Sequence, residues 1–93
     1  MKKLLLLLLF IPHVSFGQVK NGEYNTYYES GELLSTVNFV YDLRQGQLKG
    51  YYESGELEFT FSYVDDLKQG EFKVYSESGK FLGIVNYVDG VKQ

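Results

Sequence analysis

The sequence predicts an all-β fold: three tandem β-hairpins laid side by side as one elongated, twisted, single-layer antiparallel sheet. Three observations predict it. First, the chain repeats itself without a gap every 24 residues: GEYNTYYESGELLSTVNFVYDLRQ from Gly22, GQLKGYYESGELEFTFSYVDDLKQ from Gly46 and GEFKVYSESGKFLGIVNYVDGVKQ from Gly70. Seven of the 24 columns are identical in all three copies, and a fixed period of this length marks a repeat architecture. Second, each copy holds two apolar, aromatic-rich arms separated by Ser-Gly, the composition of a hairpin turn. Third, in the second arm Leu57, Phe59, Phe61 and Tyr63 alternate with Glu58, Thr60 and Ser62, the period of a half-buried strand.

Taken in order, residues 1–17 read as a signal peptide. Lys2 and Lys3 precede an apolar run from Leu4 to Ile11, and Ser15-Phe16-Gly17 supplies a small-x-small site with cleavage expected between Gly17 and Gln18. As a helix that run spans only about 12 Å, against the roughly 30 Å of a bilayer core. The expectation is an exported protein, periplasmic or extracellular. Residues 18–21 form a short lead; repeat 1 covers 22–45, repeat 2 covers 46–69 and repeat 3 covers 70–93.

Within each repeat, Gly31, Gly55 and Gly79 follow serine and are expected to take the positive φ of a two-residue hairpin turn. A second turn joins each unit to the next, at Asp42 to Gly46 and Asp66 to Gly70, so Gly22, Gly46 and Gly70 are read as turn glycines. Helices are excluded by the recurring glycines and by Tyr-, Phe-, Val- and Thr-rich segments lacking a 3.6-residue period. In the first arm, Tyr24, Leu48 and Phe72 lie three residues before Tyr27, Tyr51 and Tyr75, which places the two columns on opposite faces of a regular strand. A bulge or bend near Thr26, Gly50 and Val74 would bring them together. The outcome is a six-stranded meander whose terminal edges stay open, with end-to-end self-association as the corollary.

Composition narrows the chemistry. There is no cysteine, which excludes disulfides, thiolate catalysis and cysteine zinc sites. The one histidine, His13, lies in the expected signal peptide, so no imidazole is left for base catalysis or metal ligation. Beyond residue 17, seven basic residues face twelve acidic ones, a net charge of −5. Such a surface repels nucleic acid and speaks against membrane lipid. Glu29, Glu53 and Glu77 recur at one column, but equivalent positions lie two strands, or about 10 Å, apart beside exposed turns, which suits solvation rather than a catalytic pair. Asp42, Asp65, Asp66 and Asp89 lack the spaced series of a calcium loop and read as turn residues. No cofactor, metal or catalytic site is expected, and the protein reads as non-catalytic.

The aromatic columns carry the binding expectation. Tyr27, Tyr51 and Tyr75 form one ladder, and Tyr28 and Tyr52 a partial second. Neighbouring residues of a strand point to opposite faces, so Tyr27 and Tyr28 cannot both be core and one of them is available to a partner. These five tyrosines are the candidate partner-binding residues.

The pattern G-x-x-x-x-Y-Y-E-S-G-E-L, followed by an aromatic and a turn, resembles the variant form of the MORN (membrane occupation and recognition nexus) repeat, over Gly22 to Gln93. The resemblance implies an elongated sheet of hairpins with a binding or scaffolding role, sometimes toward lipid, and catalysis left to other domains. It also implies an antitoxin-like role, since small bacterial proteins of this kind carry that label. The expected partner is another protein, met through the aromatic face or an open strand edge. A cell-envelope glycan such as peptidoglycan is the alternative.

Overall fold

The computed structural model describes residues 19–93; the segment read from sequence as a signal peptide and its expected cleavage site lie outside them. Each unit contributes a six-residue strand, an eight-residue strand and a two-residue strand. These are β1 (Gly22–Tyr27), β2 (Leu33–Val40) and β3 (Leu43–Arg44), then β4 (Gly46–Tyr51), β5 (Leu57–Val64) and β6 (Leu67–Lys68), then β7 (Gly70–Tyr75), β8 (Phe81–Val88) and β9 (Val91–Lys92). All pair antiparallel in one sheet ordered β1-β2-β4-β5-β7-β8-β9, with β3 on β2 and β6 on β5. The slab measures 42 × 34 × 17 Å, its thinnest dimension that of one sheet with its side chains.

The short strands raise the expected six to nine, and they follow from the linking turns. Tyr41-Asp42, Asp65-Asp66 and Asp89-Gly90 have positive φ at both positions, 49° and 67°, 48° and 71°, 50° and 83°. This is the tight two-residue turn whose twist matches that of the strands it joins. The chain therefore doubles straight back on β2, pairing Val40 with Leu43 and Phe39 with Arg44. At Gly46, φ is +84°, and the path bends away before rejoining β2 at Lys49 and Gly50. No atom lies within 4 Å of a Cβ built on Gly46, so its backbone conformation, not its lack of volume, is what the position requires.

The Ser-Gly turns are longer than the sequence reading had them. Tyr28 N–H donates to the Glu32 carbonyl (2.8 Å) and Gly31 N–H to the Tyr28 carbonyl (2.9 Å), with equivalents at 52–56 and 76–80. Glu29-Ser30-Gly31 is thus a three-residue loop, with Gly31 at φ +97° closing a tight turn. Glycine after serine suits both loop lengths, and the extra residue comes from Tyr28 serving as the closing pair.

The register shifts where a bulge was expected, between Thr26 and Tyr27, Gly50 and Tyr51, and Val74 and Tyr75. The extra residue, however, stands in the second strand, at Leu34, Glu58 and Leu82. The first strand therefore keeps its alternation, and Tyr24 and Tyr27 stay on opposite faces.

One face gathers aromatic rings: Tyr24 meets Phe39 at 5.2 Å, and Phe61 stacks on Phe72 at 4.1 Å and touches Tyr87 at 6.0 Å. Across this face, one column pair trades volume from unit to unit. Thr26 hydrogen-bonds Ser35 (2.5 Å), Gly50 faces Phe59 and Val74 faces Gly83. A Cβ on Gly50 would lie 2.4 Å from the Phe59 ring, so there glycine is required for space. The opposite face carries the cross-strand row Asn25, Thr36, Lys49, Thr60, Lys73 and Ile84.

Candidate functional site

The two tyrosine columns part company after β1. Tyr28 is 2 % exposed, and its hydroxyl donates to the Tyr51 carbonyl of the next unit at 2.5 Å. Tyr52 repeats the contact on Tyr75 at 2.6 Å. Burial first, and the carboxylates Glu58, Glu53 and Glu77 next, push the Tyr28 phenol above its ordinary range. Both hydroxyls pin consecutive hairpins together; the Tyr28 ring is buried, while the Tyr52 ring is half-buried. In the third unit the column holds Ser76, whose hydroxyl accepts the Lys80 N–H (3.0 Å) within its own loop.

Tyr27, by contrast, is 40 % exposed, and Tyr51 and Tyr75 are half-buried. These three side chains stand at the loop end of each hairpin, paired across the strands with Leu33, Leu57 and Phe81. Tyr75 and Phe81 touch edge-on at 5.7 Å. The row ends on the exposed side chains of Phe81, Leu82 and Ile84.

Further contacts between units involve residues the sequence reading passed over. Gln45 accepts the Asp65 N–H on its side-chain oxygen (3.0 Å) and donates to the Asp65 carboxylate. Gln69 does the same for Asp89, at 3.1 and 2.5 Å. Ahead of the first unit, Asn21 accepts the Tyr41 N–H (2.8 Å). The column before it is basic. Lys20 sits over Phe39 (5.0 Å), Arg44 over Tyr63 (4.3 Å) and Lys68 over Tyr87 (5.0 Å) and Phe61 (4.6 Å), attracted by the ring quadrupoles. Arg44 also donates to Asp66 at 2.5 Å, which holds the Asp66 carboxyl below the ordinary range and raises the guanidinium. The recurrence of Gln and of Arg or Lys at fixed columns was a visible signal; their partners, 20 and 22 residues further on, were not.

The turn glycines are placed as follows: Gly31, Gly55 and Gly79 at φ +97°, +100° and +94°, and Gly22, Gly46 and Gly70 at +95°, +84° and +85°. Glu29 and Glu77 are exposed and Glu53 is half-buried, all in the loops. Among the described residues no group of three or more His, Cys, Asp or Glu is placed to hold a metal.

Set beside known families, residues 20–41, 44–65 and 68–89 each match the MORN repeat variant. The chain belongs to the MORN repeat family. No curated protein and no solved structure matches it. Each MORN match begins at the basic column, at Lys20, Arg44 or Lys68, and so keeps the cation in one unit with Phe39, Tyr63 or Tyr87, while Lys68 also covers Phe61 of the unit before. Membership marks the chain as a repeat-type binding module.

Proposed function

We propose that this MORN protein is an exported, non-catalytic module that binds another protein through the row of Tyr27, Tyr51 and Tyr75. The observation that carries this reading is the division between the tyrosine columns: one is spent on pinning units together, and the other presents large amphipathic side chains at the unit spacing, backed by Leu33, Leu57 and Phe81. Tyrosine at an interface combines contact area with a polar tip and loses little side-chain entropy.

The glycan alternative needs free ring faces for stacking. On the aromatic face, Phe39, Phe61, Tyr63 and Tyr87 already carry the chain's own cations, and a sugar would have to displace them. Protein binding asks for no such displacement.

The test is affinity capture on a detergent-solubilised envelope extract with the wild-type chain and with a Tyr27→Ala, Tyr51→Ala variant. The Tyr51 carbonyl that accepts from Tyr28 belongs to the backbone, so the pin survives the substitution and circular dichroism should not change. One dominant protein, lost in the variant, is the expected result. Capture that survives both substitutions refutes the tyrosine row, and retention on purified peptidoglycan instead favours the glycan reading.

A further inference from the structure

Tyr27, Tyr51 and Tyr75 end β1, β4 and β7, and one long strand stands between each of them and the next. At about 4.8 Å per strand step, the three side chains recur at roughly 9.6 Å. The pins hold that pitch. Tyr28 donates to the carbonyl of Tyr51, and Tyr52 to that of Tyr75, so each hairpin is fastened to the backbone that carries the next member of the row. Leu33 and Leu57 stand on the intervening strands, opposite Tyr27 and Tyr51. Shorter than their tyrosine neighbours, they leave two shallow saddles, again one unit apart. In the third unit the column holds Phe81, in edge contact with Tyr75, and the saddle is filled.

A ligand that meets every tyrosine must repeat at the same interval. A β-strand presents the same face about every 6.7 Å. An α-helix does so over two turns, at about 10.5 Å, and drifts by about 2 Å along the row. A polyproline II helix turns once in three residues, about 9.3 Å, and drifts by about 0.6 Å. Its backbone has no internal hydrogen bonds, which leaves its carbonyls to the tyrosine hydroxyls. Proline also sets its shape in advance, so little ordering is needed on binding.

Charge sets what flanks those prolines. The loops beside the row carry Glu29, Glu32, Glu53, Glu56 and Glu77 against one cation, Lys80. Burial, and then Glu58, Glu53 and Glu77, raise the Tyr28 phenol, so carboxylates of two units act on this end together. On the other flank stand Lys49 and Lys73, and Lys73 is paired with Glu71 at 3.3 Å. The loop side is therefore the acidic one and is complementary to a basic ligand.

We infer that the tyrosine row takes a proline-rich segment in polyproline II form, running across the strands. Prolines three apart sit over Leu33 and Leu57, and basic residues at the ends of the segment meet the loop glutamates. The inference rests on the tyrosine-row reading and names the chemistry of its partner.

The test is fluorescence anisotropy with the chain expressed from its full reading frame, its N-terminus fixed by mass spectrometry. The probe is the labelled peptide pool R-P-x-x-P-x-x-P-R, x being any residue. It should bind about tenfold tighter than three controls: the pool R-P-x-P-x-P-x-x-R, the pool E-P-x-x-P-x-x-P-E, and an arginine-ended, alanine-based helical peptide with leucine at every seventh position. The Tyr27→Ala, Tyr51→Ala variant should lose about tenfold or more. Leu57→Phe and Glu56→Lys install the residues that the third unit carries at the same columns, Phe81 and Lys80, so the fold accommodates both. The first fills a saddle and the second removes acidic charge, and each should weaken binding severalfold. Absence of binding by the first pool overturns the proposal. So does equal binding of any control, or binding indifferent to the tyrosine variant or to Leu57→Phe. Envelope capture that still depends on Tyr27 and Tyr51 when no pool binds overturns the polyproline ligand alone and leaves the tyrosine row standing.

Discussion

Replacing Tyr28 by phenylalanine removes one oxygen atom and leaves the ring's packing in place. That oxygen donates to the Tyr51 carbonyl at 2.5 Å from a residue only 2 % exposed. A net intramolecular hydrogen bond contributes about 0.5–1.5 kcal/mol, and leaving a carbonyl without its donor costs up to about 1–3 kcal/mol when it is fully buried, less at the half-buried Tyr51. The expected loss is therefore about 1–2 kcal/mol. For a domain of this size each kcal/mol moves Tm by about 4–8 °C, so thermal melts followed by circular dichroism should show Tyr28→Phe lowered by about 4–16 °C. Tyr27→Phe should be silent. Tyr28→Ala, which also removes the ring, belongs with aromatic truncations costing about 3–5 kcal/mol, a large share of the 5–15 kcal/mol that a domain has in total. The pin joins two units, so its loss should also broaden the transition as the first hairpin melts apart from the rest. A Tyr28→Phe melt within about 2 °C of wild type refutes the pin, and with it the assignment of Tyr28 as structural.

Gly50→Val should cost about 1–3 kcal/mol by overpacking, because its Cβ would meet the Phe59 ring at 2.4 Å. Adding Phe59→Gly reproduces the Val74 and Gly83 pair of the third unit, and urea denaturation should show favourable coupling of about 1 kcal/mol between the two changes. Gln45→Ala, which frees the backbone and side chain of Asp65, should lower the urea midpoint modestly, by the equivalent of about 0.5–1 kcal/mol. Asp66 has its carboxyl held below the ordinary range by Arg44. Its contribution is present above the unfolded value of about 3.9 and fades as pH falls through the lower folded value, so Asp66→Asn should flatten the acid side of the stability curve. Tyr28 behaves in the opposite sense. Its phenol is raised by burial, so the folded state loses stability as pH climbs above about 10, and that alkaline loss should shrink in Tyr28→Phe.

The repeat, the hairpins and the site of the register shift were legible because each is written within a few residues of sequence. Alternation in Leu57–Tyr63 fixes a strand, and the mismatch between Tyr24 and Tyr27 announces a bulge. Its location was not legible. Whether the extra residue stands at Thr26 or opposite it at Leu34 depends on cross-strand pairing that no single strand encodes. The linking turn was hidden for another reason: Tyr41-Asp42 takes positive φ at both positions without the Asn-Gly or Asp-Gly signature, because its backbone is held from outside by Lys20 and Asn21. The same distance in sequence separated Gln45 from Asp65. It also left Tyr27 and Tyr28 equivalent on paper, since the carbonyl that claims the Tyr28 hydroxyl belongs to the next hairpin.

What holds these hairpins together follows from how little they bury. Among the described residues only Tyr28, Gly50, Thr60 and Tyr63 are buried by their exposed fraction, as expected when one layer has no second layer to cover it. Local packing inside a hairpin is then too weak to stabilise it alone. The stabilising groups stand where one unit meets the next: the tyrosine pin, the glutamine on the following aspartate, and the cation over the following ring. The pin and the glutamine reach forward along the chain, as do the cations onto Phe39, Tyr63 and Tyr87, although Lys68 also covers Phe61 behind it, so the contacts set a direction for the array. Lys20 and Asn21 supply the unit 22–45 from the front in the way that Arg44 and Gln45 supply the next. Ser76 and Ile84 depart from the first two units at the columns whose role there is to reach or receive the next hairpin.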